Sequence, residues 1–490
     1  MPWNPKPIRN IGIYGVIRPA EVDDSLIPEG AVTEAMNFHF DRKGAATVRA
    51  GLARVGTTVT TTDAYPCVGL HNAIGTLITV FSGGGSSRIY SFSGGSWGTS
   101  LSGGTASVRI RFVNFGSFTI VPNFLYNTLS SMVFWGAGAD GSSYWKTSGN
   151  PINPQSLWGY NPQLVEVYKS RVYAAGDTSI SGNPSRLFYS SVITGAGDIT
   201  WDPAVDFVDI NPGDGEGITA LKRFSLELLI MKPNYIYRFR TSGVDPDPLI
   251  KIGTRSHESV VEGKRGVYFN HDTGFYRYSG GYPAEISRAI SDFVSAIPFS
   301  QLDDIVAWKD GDHIYWSVGN LTISEVAGSV LWRNVVLRYT ESSDLWTIYS
   351  YPTDIRAGEA YVTSTSSSIV VGTSTGVVAL VNSGNADLGE PIKYRLITKW
   401  YEWEGIENRK VLQELAVLSE KAQGVMLMYQ VDDDEAWHGG DQLKKFITIV
   451  KPSQSFHRIR FKVSGVSSNE AVVFLGIVAT KGQNQGIVVE

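Results

Sequence analysis

Between residues 64 and 385 the chain repeats one theme: a short strand of alternating apolar residues, a tight turn, and a second strand carrying aromatic residues. The pairs are Leu77–Phe81 with Arg88–Phe92, Phe118–Val121 with Met132–Trp135, Arg171–Ala174 with Arg186–Tyr189, and Leu228–Met231 with Tyr235–Arg238. Gly266–Phe269 with Gly274–Arg277, His313–Trp316 with Val335–Tyr339, and Ser368–Val371 with Gly376–Leu380 complete the set. Period-two alternation and β-branched or aromatic enrichment favour strand over helix in each. Seven such pairs, recurring at intervals of roughly 30 to 50 residues, read as propeller blades with variable loops. Radial repetition hides the edges that so many short strands would otherwise expose, so the pattern predicts a β-propeller of six or seven blades, one pair being assignable to an insertion.

Composition agrees with an ordered all-β chain. Of 490 residues, 42% are hydrophobic and 12% aromatic, with 52 Gly and 21 Pro to supply turns. Only 18% are charged, below the roughly 25% usual in soluble domains, so either neighbouring subunits cover part of the surface or Ser, Thr and Gly replace charges in the loops. The net charge is −5 with scattered Lys and Arg, which excludes a tight phosphate grip and is compatible with DNA sliding past. The single cysteine, Cys67, excludes an intrachain disulfide and a cysteine zinc site. The first residues, Met1–Pro7, lack an apolar signal core and no apolar run is long enough to span a bilayer, so no membrane-spanning segment is expected and assembly in a cytoplasm is.

Different textures flank the repeats. Residues 1–63 hold a proline-punctuated arm (Pro2, Pro5, Pro7, Pro19, Pro28), a stretch Pro28–Asn37 that predicts about two helical turns, and a hairpin turning at Asp41-Arg42-Lys43-Gly44. Within the repeats, Pro283–Val294 places Ile286, Ile290, Phe293 and Val294 on one helical face. Residues 386–490 carry longer strands, Ile392–Trp400, Val411–Leu418, Gly424–Val431, Phe456–Val463 and Ala471–Val478, and predict a jelly-roll-like β-sandwich joined through a linker at Asn382–Asp387.

Motifs with chemical potential mostly have plainer readings. Gly136-Ala137-Gly138-Ala139-Asp140-Gly141 matches the dinucleotide pattern, but a strand follows where a helix should, so it reads as a hairpin turn. Gly372-Thr373-Ser374-Thr375-Gly376 matches a nucleophile elbow, yet strands flank it and His438 and His457 lie in another domain. Asp432–Glu435 and the loop Asn211–Gly217 have oxygen ligands for a hard cation but lack convergent spacing. The histidines at 39, 71, 257, 271, 313, 438 and 457 show no metal-binding pairing, and the acids Asp303-Asp304 read as surface loop. Asn320-Leu321-Thr322 is a sequon that matters only in a secreted eukaryotic chain. No catalytic, cofactor-binding or metal residue is therefore expected, and the aromatics read mainly as blade core.

Several phrases, taken in order, resemble one family. They begin with Ile27-Pro28-Glu29-Gly30, Asn37-Phe38, Lys43-Gly44 and Arg49-Ala50-Gly51-Leu52, the last of which has Ala50 where the pattern usually has Pro. Lys169–Gly176, Ser185–Ser191, Asp198–Trp201, Gly215–Leu221, Tyr276–Gly281 with Ile286–Ile290, and Phe456–Phe461 continue the likeness over nearly the whole chain. The chain thus resembles the β-propeller tail proteins of tailed bacteriophages, the nozzle, tail tubular or packaged-DNA stabilisation proteins below the portal. That resemblance implies a non-enzymatic structural protein of the virion, assembled in the host cytoplasm. It also implies a homo-oligomeric ring, a hexamer, touching portal, adaptor and other tail proteins, whose channel retains DNA and passes it at ejection without sequence-specific binding. A receptor- or carbohydrate-binding propeller predicts instead exposed Trp or Tyr pairs on one face, and a propeller glycosidase predicts carboxylates converging at the axis.

Overall fold

Each hairpin theme of the sequence becomes the centre of one antiparallel sheet in a computed structural model of the chain. The structure describes residues 2–3, 8–9, 11–19, 23, 26–41, 45–56, 65–83, 86–105, 109–115, 118–121, 133–137, 143–146, 162–177, 183–192, 202, 204–240, 243–244, 251–325, 328–363, 365–403, 406–420, 424–432, 434–444, 446–452, 454–467 and 473–486. Blade 1 is the meander Cys67–Ala73, Thr76–Gly83, Ser86–Ser93 and Ser96–Thr105. Blade 2 runs from Val113–Phe115 to Ser143–Lys146, blade 3 from Pro162–Tyr168 to Phe207–Asp209, and blade 4 from Ala220–Phe224 to Gly243–Val244. Blade 5 spans Val261–Glu262 to Ala284–Glu285, and blade 6 spans Val306–Asp310 to Leu345–Ser350. Blade 7 takes three strands from Ile355–Val362, Ser367–Thr373 and Val378–Leu380, and its fourth from Ala53–Arg54 near the other end of the chain.

Apolar residues between successive sheets close the circle. Ile78 and Val80 of blade 1 meet Val121 of blade 2, Ile120 meets Val172 and Phe188 of blade 3, and Leu187 meets Leu228 and Tyr237 of blade 4. Leu229 meets Phe269 of blade 5, Phe275 packs on Trp316 and Trp346 of blade 6, and Trp308 and Tyr349 meet Val371 of blade 7. Val370 and Val378 then return to Leu77 and Phe81 of blade 1. Every blade buries both faces against neighbours, so the array is a seven-bladed propeller. Its closure is stitched by the outer strand drawn from Ala53–Arg54, which covers the edge of Val378–Leu380.

Apart from the small hairpin of Ala386–Asp387 and Glu390–Pro391, the remaining strands form a β-sandwich that grows directly from blade 6. Its last strand, Leu345–Ser350, continues through Val32–Met36 into Lys393–Thr398, Ile459–Val466, Met426–Val431 and His438–Gln442, one sheet of nine strands. The facing sheet contains Phe38–Phe40, Ala46–Val48, Val473–Gly486, Arg409–Glu420 and Phe446–Val450, with Pro2–Trp3 and Ile8–Arg9 of the arm paired to Val473–Gly486. Phe38, Tyr394, Leu412, Phe456, Phe461 and Ile477 fill the space between.

Two helical expectations are corrected. Pro28–Asn37 is not two helical turns: Val32–Met36 is a strand, held by Ile348 on one side and Arg395–Thr398 on the other. Glu34 ion-pairs with Arg395 across that strand, and Gly30 (φ 88°) and Asn37 (φ 62°) bend the chain at both ends, so tertiary pairing overrides the helix propensity of Glu34-Ala35-Met36. Pro283–Val294 is helical only in part, with 3-10 turns at Arg288–Ile290 and a short helix at Ser291–Ser295, though Ile290 and Phe293 are buried as their spacing predicts.

Arm, propeller and sandwich meet at Arg49. This guanidinium, 3% exposed, donates to both oxygens of Asp387 (2.8 and 2.5 Å), to Asn37 Oδ1 (2.9 Å), to the carbonyls of Ser350 (2.9 Å) and Ala50 (3.0 Å), and lies 4.0 Å above Tyr351. Asn37 in turn accepts from the Ser350 amide at 2.8 Å and donates to Lys393 O at 2.7 Å. Residues 382–387 are not loose: the amides of Gly51 and Leu52 donate to Gly384 O (2.8 Å) and Ala386 O (3.1 Å). A Cβ on Gly51 would lie 1.9 Å from Ala386 O, which is why only glycine fits there.

Candidate functional site

The first strands of successive blades lie side by side around the axis, so side chains projecting from them meet there. Arginines dominate the meeting. Arg109, just ahead of blade 2, donates to Asp304 O at 2.9 Å and to the carbonyl of Arg356, on blade 7. Arg111 donates to Gln163 O of blade 3 at 3.0 Å and pairs with Glu258, ahead of blade 5, at 2.7 Å. Arg356 faces Asp354 at 2.7 Å and Asp304 at 3.5 Å. Between them lies a cavity of about 180 Å³ reached by His71, His257 and Glu359.

Charges at the axis are matched. Burial alone would raise the Glu258 carboxyl, but the Arg111 and Arg109 charges prevail and hold it at about 2. Burial, reinforced by Arg111, lowers His257 to about 3, so this imidazole is neutral and its Nδ1 accepts from the Leu221 amide at 3.4 Å. Burial raises Asp354 against the pull of Arg356. His71 stacks on Phe112 with centroids 5.3 Å apart and bonds Asn114 Oδ1 at 3.0 Å. Carboxylates do gather near the axis, as a glycosidase would need, but Glu258, Asp304 and Asp354 each face an arginine. That arrangement spans blades and stiffens the ring; it offers no surplus positive charge to a phosphate.

Beside the axis, between blades 6 and 7, a second cavity of about 350 Å³ opens among the polar side chains of Gln301, Asp304, Ser317, Asn320, Asp354 and Arg356. Of the acids Asp303-Asp304, only the second reaches this cleft; the first is raised by burial and faces Arg255.

The remaining sequence motifs find structural partners. Ser374 sits in the hairpin between Ser367–Thr373 and Val378–Leu380, its Oγ 3.1 Å from Thr353 Oγ1, with no helix after it. Val133–Ala137 and Ser143–Lys146 pair with each other as a hairpin, while 138–142 lie outside the described residues, as do Asp198–Trp201 of the family-like phrases. In the loop Asn211–Gly217 the cation is a lysine: Lys232, fully buried, donates to both oxygens of Asp214 (2.7 and 2.8 Å), to Asn211 O (3.1 Å) and to Ser185 Oγ (3.0 Å). Asp432 accepts from the amides of His457 (2.7 Å) and Arg458 (2.9 Å), and Asp434 contacts His438 Nε2 at 2.6 Å. His313 lies 2.8 Å from Arg338, and His271 packs edge-on to Tyr276. Among the described residues no three His, Cys, Asp or Glu side chains group to hold a metal ion. Cys67 is buried, its thiol pushed up by that burial. No tryptophan whose side chain is described is exposed, and Tyr14 and Tyr282 are the exposed tyrosines among the described residues.

The axial arginines carry no local signal in the sequence. Arg109 and Arg356 stand 247 residues apart in the pair they make, and no local spacing announces such a convergence.

Comparison with known proteins adds little beyond this geometry. No family model matches the chain, and no curated protein matches it. Among solved structures it is similar to the extracellular domain of a candidate hybrid two-component system of B. thetaiotaomicron, at 12% identity and a TM-score of 0.41 over 68% of this chain. The chain spans only 39% of that one. It is also similar to a candidate 6-phosphogluconolactonase of Bacteroides fragilis (13% identity, TM-score 0.35, 64% of this chain and 88% of that one). The WD40 domain of Neurospora crassa Pan2 gives 10% identity and a TM-score of 0.36 over 70% of this chain and 97% of its own. At these scores none of the three bears on activity.

Proposed function

We propose that the chain is a structural subunit of a tailed-phage virion, a nozzle or hub protein that forms a ring below the portal and lines a path for DNA. The observation that carries this reading is the junction at Arg49. Asn37, Arg49 and Gly51, residues of the phrase that resembles the phage tail family, come together with Asp387 in one buried knot tying arm, propeller and sandwich. The phrase thus has a mechanical use that suits a load-bearing part. In this reading the chain catalyses nothing, and the conduit belongs to the ring: the axis of a single propeller is crossed by Arg109 and Arg111, so DNA passes between subunits arranged by rotation.

Negative-stain imaging and mass photometry of the full chain, alone and with a portal complex, test this. A closed ring that docks below the portal is expected. A stable single chain that ignores the portal and binds glycans would refute it in favour of a carbohydrate-binding propeller, whose best seat is the polar cleft between blades 6 and 7.

A further inference from the structure

Among the described residues, the sandwich sheet built on Arg409–Glu420 is closed along one side and bare along the other. On the closed side Val473–Gly486 pairs with Ala46–Val48, Ile8–Arg9 and Pro2–Trp3, so the N-terminal segment covers that edge. On the other side the outermost strand is Phe446–Val450, and no further strand pairs with it among the described residues. Alternation turns Thr448 and Val450 inward and leaves Ile447 and Ile449 55% and 58% exposed. The register extends the apolar surface inward from the edge. Ile447 lies opposite Leu418, and Ile449 opposite Ala416, which lies opposite Val478; all three of these neighbours are only partly buried. A bare strand edge joined to an apolar face is what soluble chains avoid unless something covers it.

We infer that this edge and the apolar row beside it receive a second copy of the chain. Charge selects that occupant. Exposed Lys444 and Lys451 bracket the row, whereas the outermost strand of the facing sheet, His438–Gln442, carries exposed Asp441 and follows exposed Asp434 and Glu435. A chain of net charge −5 that offers both a lysine-rimmed and an acid-rimmed edge is complementary to itself. Strand addition supplies main-chain hydrogen bonds, and the isoleucines supply buried area. The inference deepens the ring reading by naming a contact, and rests on that reading's premise that copies associate.

Mass photometry over a concentration series, with circular dichroism to verify folding, tests it on the full chain. The double variant I447K/I449K should raise the association midpoint about a hundredfold or more, while L226K, at another exposed apolar residue, should leave it unchanged. K444E/K451E keeps the apolar row and should weaken association by about tenfold, which serves if the first variant misfolds. Unchanged association of either folded variant overturns the contact and leaves the ring reading standing. A parent of single-chain mass at every concentration overturns both, and a parent dimer that I447K/I449K dissolves supports the contact while refuting the ring.

Discussion

Replacing Arg49 by alanine is the most telling perturbation of this fold. The change removes five donated hydrogen bonds and the stacking on Tyr351, and strands the Asp387 carboxylate, 4% exposed, without its partner. Breaking one side of a buried ion pair costs about 3–5 kcal/mol, because the remaining charge stays desolvated. The orphaned Ser350 carbonyl and the lost cation–π contact put the expected loss in the upper half of that range. R49K keeps the charge but not the planar fork, so about 2–3 kcal/mol is expected. Urea unfolding followed by tryptophan fluorescence gives the difference, and limited proteolysis around residues 382–388 reports release of that segment, since a chain of several parts need not unfold in one step. The double variant R49A/D387A should recover about 2–3 kcal/mol relative to the sum of the single changes. An R49A protein within about 1 kcal/mol of the parent, or strictly additive effects, would refute the assignment of Arg49 as the tie between the three parts.

Other expectations are more easily read. G51A should destabilise the chain by about 3 kcal/mol or more and expose residues 382–388 to protease, because its methyl group would occupy the place of the Ala386 carbonyl. Acid should unfold the protein early. His257 at about 3, and His39 and His313 each at about 4, are all lowered first by burial from 6.5, so the unfolded chain binds more protons below that value and stability falls with pH from about 6.5 downward. Glu258 adds to the loss only as pH drops below its ordinary 4.5 toward about 2. H257Q should flatten the curve between pH 4 and 6 by up to about 1.4 kcal/mol per pH unit, measured by thermal melts across buffers; an unchanged slope would contradict a buried neutral imidazole there.

What the sequence made legible follows the range of the interactions. Hairpins announce themselves through neighbours a few residues away, so pairs such as Leu228–Met231 with Tyr235–Arg238 emerged as the central strands of blade 4. Ala53–Arg54 carries no sign that it belongs to blade 7, because its partner Ala379–Leu380 is encoded more than 300 residues later. Val32–Met36 departs from its local pattern for the same reason: its own residues favour helix, and the strands that decide otherwise are encoded more than 300 residues later. The axial site is the extreme case. Arg109, Arg111 and Arg356 have unremarkable local settings, and only ring closure brings them to Asp304, Glu258 and Asp354.

The tie at Arg49, beside the stitch in blade 7, also sets a timetable. Arg49 and Asp387 are 338 residues apart in the chain, so at a synthesis rate of about 5–20 residues per second Arg49 waits roughly 17 to 70 seconds for its partner to leave the ribosome. For most of that interval blade 1 has no seventh blade beside it, and Leu77 and Phe81 lack the cover that Val370 and Val378 later provide. A nascent chain of this design is an open arc, vulnerable to joining its neighbour on the same message. Chaperone demand and aggregation during expression should therefore rise with truncations that end before residue 381 far more than with changes to the finished surface.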